Sequence, residues 1–287
     1  MTTSENTMSH PDYSPALPEQ LQQDTAVFQH SAYAGISGKA VVVTGGGSGI
    51  GLALAEGFAR NGAHLLLIDI NAQAMADAKG ALQQSFPTIQ VECFQASVTD
   101  EAAVEAAFAH AKACFGRIDV LLNNAGVSIN KPSLDITPTE WRRAIEINFN
   151  SVFFCAQAAA RHMIDQQGGV IINTSSMWGV SHSADRTAYC ATKAAVVSMT
   201  KCLAVEWARH GIRMNAIGPG YTRTPLVEEL QRAGRLDVEA LRKRTPLQRL
   251  GEPGEMAELA LFLASSSATF ITGQIYVSDG GWTANGF

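Results

Sequence analysis

The run Ala40-Val41-Val42-Val43-Thr44 passes directly into Gly45-Gly46-Gly47-Ser48-Gly49-Ile50-Gly51, and a stretch with helical periodicity, residues 50–60, follows. The β-branched run reads as a buried strand and the stretch after the glycines as a helix. A glycine-rich turn between a strand and a helix constrains the chain strongly. The glycines permit a tight turn and remove Cβ atoms where backbone must approach a pyrophosphate. The helix start then offers N–H groups and partial positive charge to that anion. Gly45, Ser48, Gly49, Ile50 and Gly51 are therefore candidate cofactor-binding residues.

The alternation continues downstream. Residues 63–69, 89–95, 118–123, 169–175, 212–218 and 274–278 read as further strands. Residues 72–85, 101–115, 139–166, 187–210 and 253–264 read as helices, the third and fourth of these being long. Continuous apolar strands alternating with helices imply a parallel sheet covered on both faces. Right-handed crossovers then predict an α/β fold: a single doubly wound, Rossmann-type domain over 38–287 with a seven-stranded parallel sheet. Residues 221–250 form a polar segment between the strand at 212–218 and the last helix, read as a mobile lid. Residues 1–37 carry Pro11, Pro15 and Pro18 and no Lys or Arg, and read as an arm that is loose or packs on a surface.

Composition excludes several classes. Net charge is −5 and no run of Lys or Arg could track a phosphate backbone, so nucleic acid is not an expected partner. No apolar stretch approaches the roughly 20 residues of a membrane helix. Cys93, Cys114, Cys155, Cys190 and Cys202 are scattered, with no C-x-x-C pair. That predicts a reduced, cytoplasmic protein without a structural metal, and Cys190 as a core thiol.

The second strand ends at Asp69, 18 residues after Gly51. A carboxylate there accepts hydrogen bonds from both ribose hydroxyls of NAD and repels the 2′-phosphate of NADP. No Arg or Lys stands at positions 46, 47 or 70 to receive that phosphate. NAD is the expected cofactor.

The spacing Gly45-x-x-x-Gly49-x-Gly51 resembles the short-chain dehydrogenase/reductase family, and the resemblance recurs in order from about residue 38 to 287. Asn123-Asn124-Ala125-Gly126 is similar to that family's fourth-strand motif, which supports the sheet and lines the adenosine side. Asn148 matches its helix asparagine. Ser176, with Tyr189-x-x-x-Lys193 thirteen residues on, matches its catalytic set. Asn215-Ala216-Ile217-Gly218-Pro219-Gly220 followed by Thr222 resembles its nicotinamide-contacting segment. Arg249-x-Gly251-x-Pro253 and Asp279-Gly280-Gly281 match its C-terminal region. One position departs: the family's third-strand Asp, which contacts adenine, is Ser97 here, in Ala96-Ser97-Val98-Thr99-Asp100. A serine is a weaker, neutral acceptor, so that contact is expected to be altered.

Tyr189 and Lys193 stand four apart on an expected helix and share a face. A free tyrosine titrates near pH 10, and bringing it to neutrality takes roughly 4 kcal/mol of preferential phenolate stabilisation. Lys193 and an oxidised nicotinamide are both positive and are the expected sources. The resemblance implies that Lys193 also binds the nicotinamide ribose. It further implies that Asn148 holds a water linking Lys193 to solvent, and that Ser176 orients the substrate oxygen while Tyr189 moves the proton. Ser175 competes for the serine role, and the thirteen-residue spacing favours Ser176. The resemblance also implies a homotetramer built on the two long helices.

Substrate choice is expected in 177–188 and 221–250, loops at the carboxyl ends of strands. Trp178, His182 and Arg186 are the candidate substrate residues there, beside Ser176 and Tyr189. Trp178 either walls the site or packs beneath it. Arg186 either binds a substrate carboxylate or forms an ion pair with Asp185 or a neighbouring loop. The polar loop points to a small polyol or sugar as the alcohol or ketone substrate. A 3-oxoacyl thioester reductase and a non-catalytic nucleotide-binding regulator are the alternatives.

Overall fold

Strands β1 (Ala40–Thr44), β2 (His64–Asp69), β3 (Val91–Gln95), β4 (Val120–Asn123), β5 (Gly169–Thr174), β6 (Ile212–Pro219) and β7 (Ile275–Ser278) form one sheet in the computed structural model. The order is β3-β2-β1-β4-β5-β6-β7, and every pairing is parallel. Each strand starts within two residues of its sequence expectation. Residues 32–285 are described.

Alternation along the strands splits the core in two. Val41 and Val43 of β1 face helices α1 (Gly49–Arg60), α2 (Ala72–Ser85) and α9 (Pro253–Ala264), through Leu54, Phe58, Met75, Leu82 and Leu261. Val42, between them, faces α3 (Glu101–Phe115), α5 (Ser151–Asp165) and α6 (Thr187–Trp207), through Phe108, Ala159, Met163 and Leu203. Its partners in register, Leu66 on β2 and Leu121 on β4, lie on the same face. Burial on both faces is why these strands read as unbroken apolar runs. The remaining helices are α4 (Pro138–Ile145), α7 (Pro225–Arg232) and α8 (Val238–Arg244).

The structure departs from expectation in one place and adds detail in two more. The single helix expected over 139–166 is two, α4 and α5, joined by a π-helical turn at Glu146–Asn150. The wider turn carries Asn148 inward, where Oδ1 accepts from Val127 N at 2.8 Å and Nδ2 donates to Val127 O at 2.8 Å. Second, the polar segment 221–250 contains α7 and α8. Each starts on a side-chain cap: Thr224 accepts from Val227 N at 3.4 Å, and Asp237 from Ala240 N at 2.9 Å. Third, the expected arm lies outside the described residues as far as residue 31, but its end is bound to the body. Tyr33 N donates to Asn61 Oδ1 at 2.8 Å, Ser266 N donates to Ala34 O at 3.1 Å, and Ile36 is fully buried.

Candidate active site

Strand order reverses between β1 and β4, so the loops leaving their carboxyl ends diverge and open a crevice. The glycine loop forms one wall. Gly45 and Gly49 hold φ of +65° and +55°, backbone that disfavours any side chain. A Cβ on Gly51 would lie 1.9 Å from Gly45 O. Asn124 pins the loop by donating Nδ2 to Thr44 O at 3.2 Å and Gly45 O at 3.4 Å. Thr44 Oγ1 accepts in return from Asn124 N and Ala125 N, at 2.9 and 3.1 Å.

These residues fit a dinucleotide. The first turn of α1 has no side-chain cap from Ser48 and no acidic residue, so its N–H groups are left to an anion. A cleft runs from Gly45, Ser48 and Gly49 to Asp69 and on to Ala96, Ser97 and Val98. Asp69 is held by backbone: Oδ2 accepts from Gly47 N at 3.1 Å and Oδ1 from Asn71 N at 3.0 Å. Ser97 is engaged locally, its Oγ 2.8 Å from Thr99 Oγ1. Arg143 on α4 also lines this cleft, and sequence reading missed it because nothing local ties α4 to β2.

A second cleft joins the first, with Ile50, Asn124, Gly126 and Val127 lining both. Ser176, Tyr189 and Lys193 line it, as do Pro219, Gly220 and Thr222. The two serines are distinguished by direction. Ser175 Oγ is buried and donates to Lys193 O at 2.9 Å. Ser176 Oγ accepts from Trp178 N at 3.2 Å, donates to Pro219 O at 3.5 Å, and acts to lower the Tyr189 phenol. Lys193 is buried, donates Nζ to Thr174 O at 2.8 Å, and lies 5.7 Å from the centre of the Tyr189 ring. Asn148 Nδ2 reaches Thr192 Oγ1, next to Lys193, at 3.3 Å. Asn148 Oδ1 and Lys193 Nζ would lie 3.2 and 3.5 Å from a Cβ on Gly126, so the absent side chain keeps that corner open.

Burial governs the charges. It lowers Lys193 to about 8. It also pushes the Tyr189 phenol up from its ordinary value, and the Ser176 hydrogen bond and the Arg186 charge act against this. The lowering expected from Lys193 is therefore not achieved by the chain alone: desolvation of the phenolate outweighs the neighbouring charge.

The candidate substrate residues separate. Trp178 and Arg186 line the second cleft; His182 is exposed and outside its lining. Among the described residues Arg186 forms no ion pair with Asp185 or another loop. It lies 5.4 Å from the Trp178 ring centre and 5.7 Å from that of Tyr221. Nη1 donates to Asn130 Oδ1 at 2.9 Å and Nη2 to Tyr221 Oη at 3.0 Å. Trp178, Tyr221 and Trp282 pack edge to face beneath it. Leu226, Val227 and Leu230 of α7 line the opposite side, as does Leu236 beyond it. Tyr221 and Asn130 had no sequence signal, since both reach Arg186 across long separations.

Residues 45–283 match the family model described as enoyl-(acyl carrier protein) reductase. A probable 2,4-dienoyl-CoA reductase of Bacillus subtilis is 42% identical over 256 residues, covering 86% of this chain and 97% of that protein. The galactitol 2-dehydrogenase of Rhizobium johnstonii is 40% identical over 252 residues, covering 86% and 96%. The crystal structure of L-sorbose reductase from Gluconobacter frateurii, complexed with NADPH and L-sorbose, superposes with a TM-score of 0.83 at 31% identity, covering 87% and 98%. With that breadth of match over the crevice, the glycine loop and the Ser176–Tyr189–Lys193 corner, the chain belongs to the short-chain dehydrogenase/reductase family of oxidoreductases.

Proposed function

We propose that this enzyme moves a hydride between NAD(H) and the carbinol or carbonyl carbon of a small polyol or sugar. The observation that carries the reading is the junction of the two clefts. Ser176, Tyr189 and Lys193 stand on one side of it, the glycine loop and Asp69 on the other. The bound nicotinamide supplies the hydride acceptor or donor. Asp69 would take the ribose hydroxyls, the first turn of α1 the pyrophosphate, and Lys193 the nicotinamide ribose. Ser176 would orient the substrate oxygen. Tyr189 would take the hydroxyl proton during oxidation and return it during carbonyl reduction. Its raised phenol suits the donating role and leaves oxidation dependent on positive charge at the nicotinamide. Asn148 holds the π turn against Val127 and would position the water that serves Lys193.

Support for a hydroxylated substrate comes from the polar groups of Ser176, Asn130, Arg186 and Tyr221 around the cleft and from the galactitol- and sorbose-named relatives. The segment 221–250 would cover the substrate. The long helices α5 and α6 would form the tetramer interface: Val205 on α6 is 81% exposed, and light scattering should give four times the chain mass. Its five free thiols suit a reducing, cytoplasmic setting. No helix among the described residues is long and apolar enough to cross a membrane.

Initial rates with NAD and NADP over polyols, sugars, hydroxy acids and hydrophobic secondary alcohols test the reading. Activity confined to steroids or acyl thioesters overturns the polyol assignment. The thioester reading has the dienoyl-CoA reductase relative in its favour, and the same panel decides it. Tyr189→Phe should abolish turnover and preserve NADH binding by fluorescence; unchanged turnover overturns the role of Tyr189.

A further inference from the structure

The second cleft is charged in one direction. Among the described residues its lining holds two cations, Arg186 and Lys193, and no Asp or Glu. Lys193 is committed: it is buried and donates to Thr174 O. Arg186 is half-buried at the start of α6, three residues before Tyr189, and no carboxylate among the described residues pairs with it. A partly desolvated guanidinium without a counter-charge is costly, and protein interiors usually supply an acid.

This cation is positioned. Trp178 and Tyr221 flank it at 5.4 and 5.7 Å, and Asn130 and Tyr221 each accept one of its N–H groups. A guanidinium has five such donors in a rigid fork, so those not spent remain for a ligand. One held, singly charged, planar fork is complementary to one planar monoanion. A phosphate dianion calls for more charge than the cleft offers once Lys193 is committed. Arg186 lines the same cleft as Ser176 and Tyr189, so a group bound to it shares that cleft with the reacting oxygen.

We infer that the polyol- or sugar-type substrate of this site also carries a carboxylate, which Arg186 binds, so that it is a hydroxy acid of that class. The inference rests on the oxidoreductase reading for the carbinol carbon but concerns a different group of the substrate. Arg186 would select the acid over its neutral analogue, while Ser176 and Tyr189 handle the reacting oxygen in either.

The test uses matched pairs that differ only in carboxylate against hydroxymethyl: gluconate with glucitol, glycerate with glycerol, threonate with threitol. Wild type, Arg186→Gln and Arg186→Lys are compared with whichever nicotinamide cofactor the enzyme takes. At least one acid should exceed its neutral twin in kcat/KM by about tenfold or more. Arg186→Gln should remove that preference, lowering the acid by about tenfold more than its neutral twin, and Arg186→Lys should restore part of it. Neutral twins preferred by the wild type overturn the inference. So does an equal loss for acid and neutral in Arg186→Gln, which marks a structural role. If no pair turns over, calorimetric titration of the NADH-saturated proteins with the same pairs decides. Acids binding no more tightly than their twins overturn it; acids binding more tightly through Arg186 support it. A protein that binds the acids through Arg186 yet oxidises no alcohol and reduces no ketone would keep this inference and sink the proposed function. Arg186-independent turnover of neutral polyols would do the reverse.

Discussion

Ser175 and Lys193 are joined by a buried hydrogen bond, Ser175 Oγ to Lys193 O at 2.9 Å, so the first of two adjacent serines braces the helix that carries Tyr189. The second serine turns into the cleft, which Tyr189 also lines. A Cβ on Gly179 would lie 2.4 Å from Ser175 Oγ, which shows how tightly that brace is packed. The two alanine variants should therefore fail differently. Ser176→Ala should lower kcat about a hundredfold or more, with the thermal midpoint nearly unchanged. Ser175→Ala should leave kcat within about threefold and lose about 1–2 kcal/mol of stability, read by urea unfolding. The opposite pairing of effects would exchange the serine roles.

Asp69 is fixed by Gly47 N and Asn71 N before any cofactor arrives, which removes the cost of orienting it. Asp69→Ala should lower kcat/KM with NAD by roughly tenfold or more and raise it with NADP, because the charge repelling the 2′-phosphate is gone. Arg143, exposed on the rim of the same cleft, can then pair with that phosphate. Adding Arg143→Ala to Asp69→Ala should take back part of the NADP gain. Fluorescence titration with NADPH reads both steps, and an unchanged cofactor ratio in Asp69→Ala would refute the assignment.

Strand positions were legible because each strand is buried twice. Val41, Val42 and Val43 must all be apolar, whichever face they point to, so local composition suffices. The break at Glu146–Asn150 was not legible. Apolar periodicity continues through it, and the partners that draw Asn148 inward, Val127 N and O, lie 21 residues back. The helices inside 221–250 did leave a signal, Thr224-Pro225 and Asp237 as caps, but no residue of either is buried, so apolar periodicity missed them. The Ser176, Tyr189 and Lys193 corner was legible through the family resemblance, whose spacing these residues match on one loop and one helix. Which way a loop side chain points is decided by remote partners. His182 therefore looked as eligible as Arg186, whose place is set by Asn130 and Tyr221, 56 and 35 residues away.

Two glycines on helices provide a contrast between close approach and mere propensity. Gly51 sits where a Cβ would overlap Gly45 O, at 1.9 Å, with Asn124 Nδ2 at 2.7 Å. Gly80 in α2 has nothing within 4 Å of the same position. Gly51→Ala should cost about 1–3 kcal/mol and weaken NADH binding, since backbone of the phosphate loop must shift. Gly80→Ala should gain about 0.8–1 kcal/mol from helix propensity and leave kinetics alone. Chemical denaturation of both proteins checks the pair. A tolerated Gly51→Ala with unaltered NADH affinity would contradict the packing of that loop.

Burial lowers Lys193 from its ordinary value to about 8, which makes stability depend on pH in a known direction. Above the folded value and below the ordinary 10.5, the unfolded chain binds a proton that the folded chain does not. Stability from this group therefore rises with pH through that window, by roughly 3 kcal/mol in all, and is flat below it where both states are protonated. Lys193→Met removes the titration. It should abolish turnover, and its stability relative to wild type should be best at and below neutrality and worsen steadily from about pH 8 to 10.5. Loss of the bond to Thr174 O shifts both ends of that comparison equally, so the slope is diagnostic where the absolute difference is not. Urea unfolding of both proteins across the window measures it. A difference that stays level, or moves in favour of Lys193→Met as pH rises, would mean that the Lys193 ammonium is not destabilised by its burial.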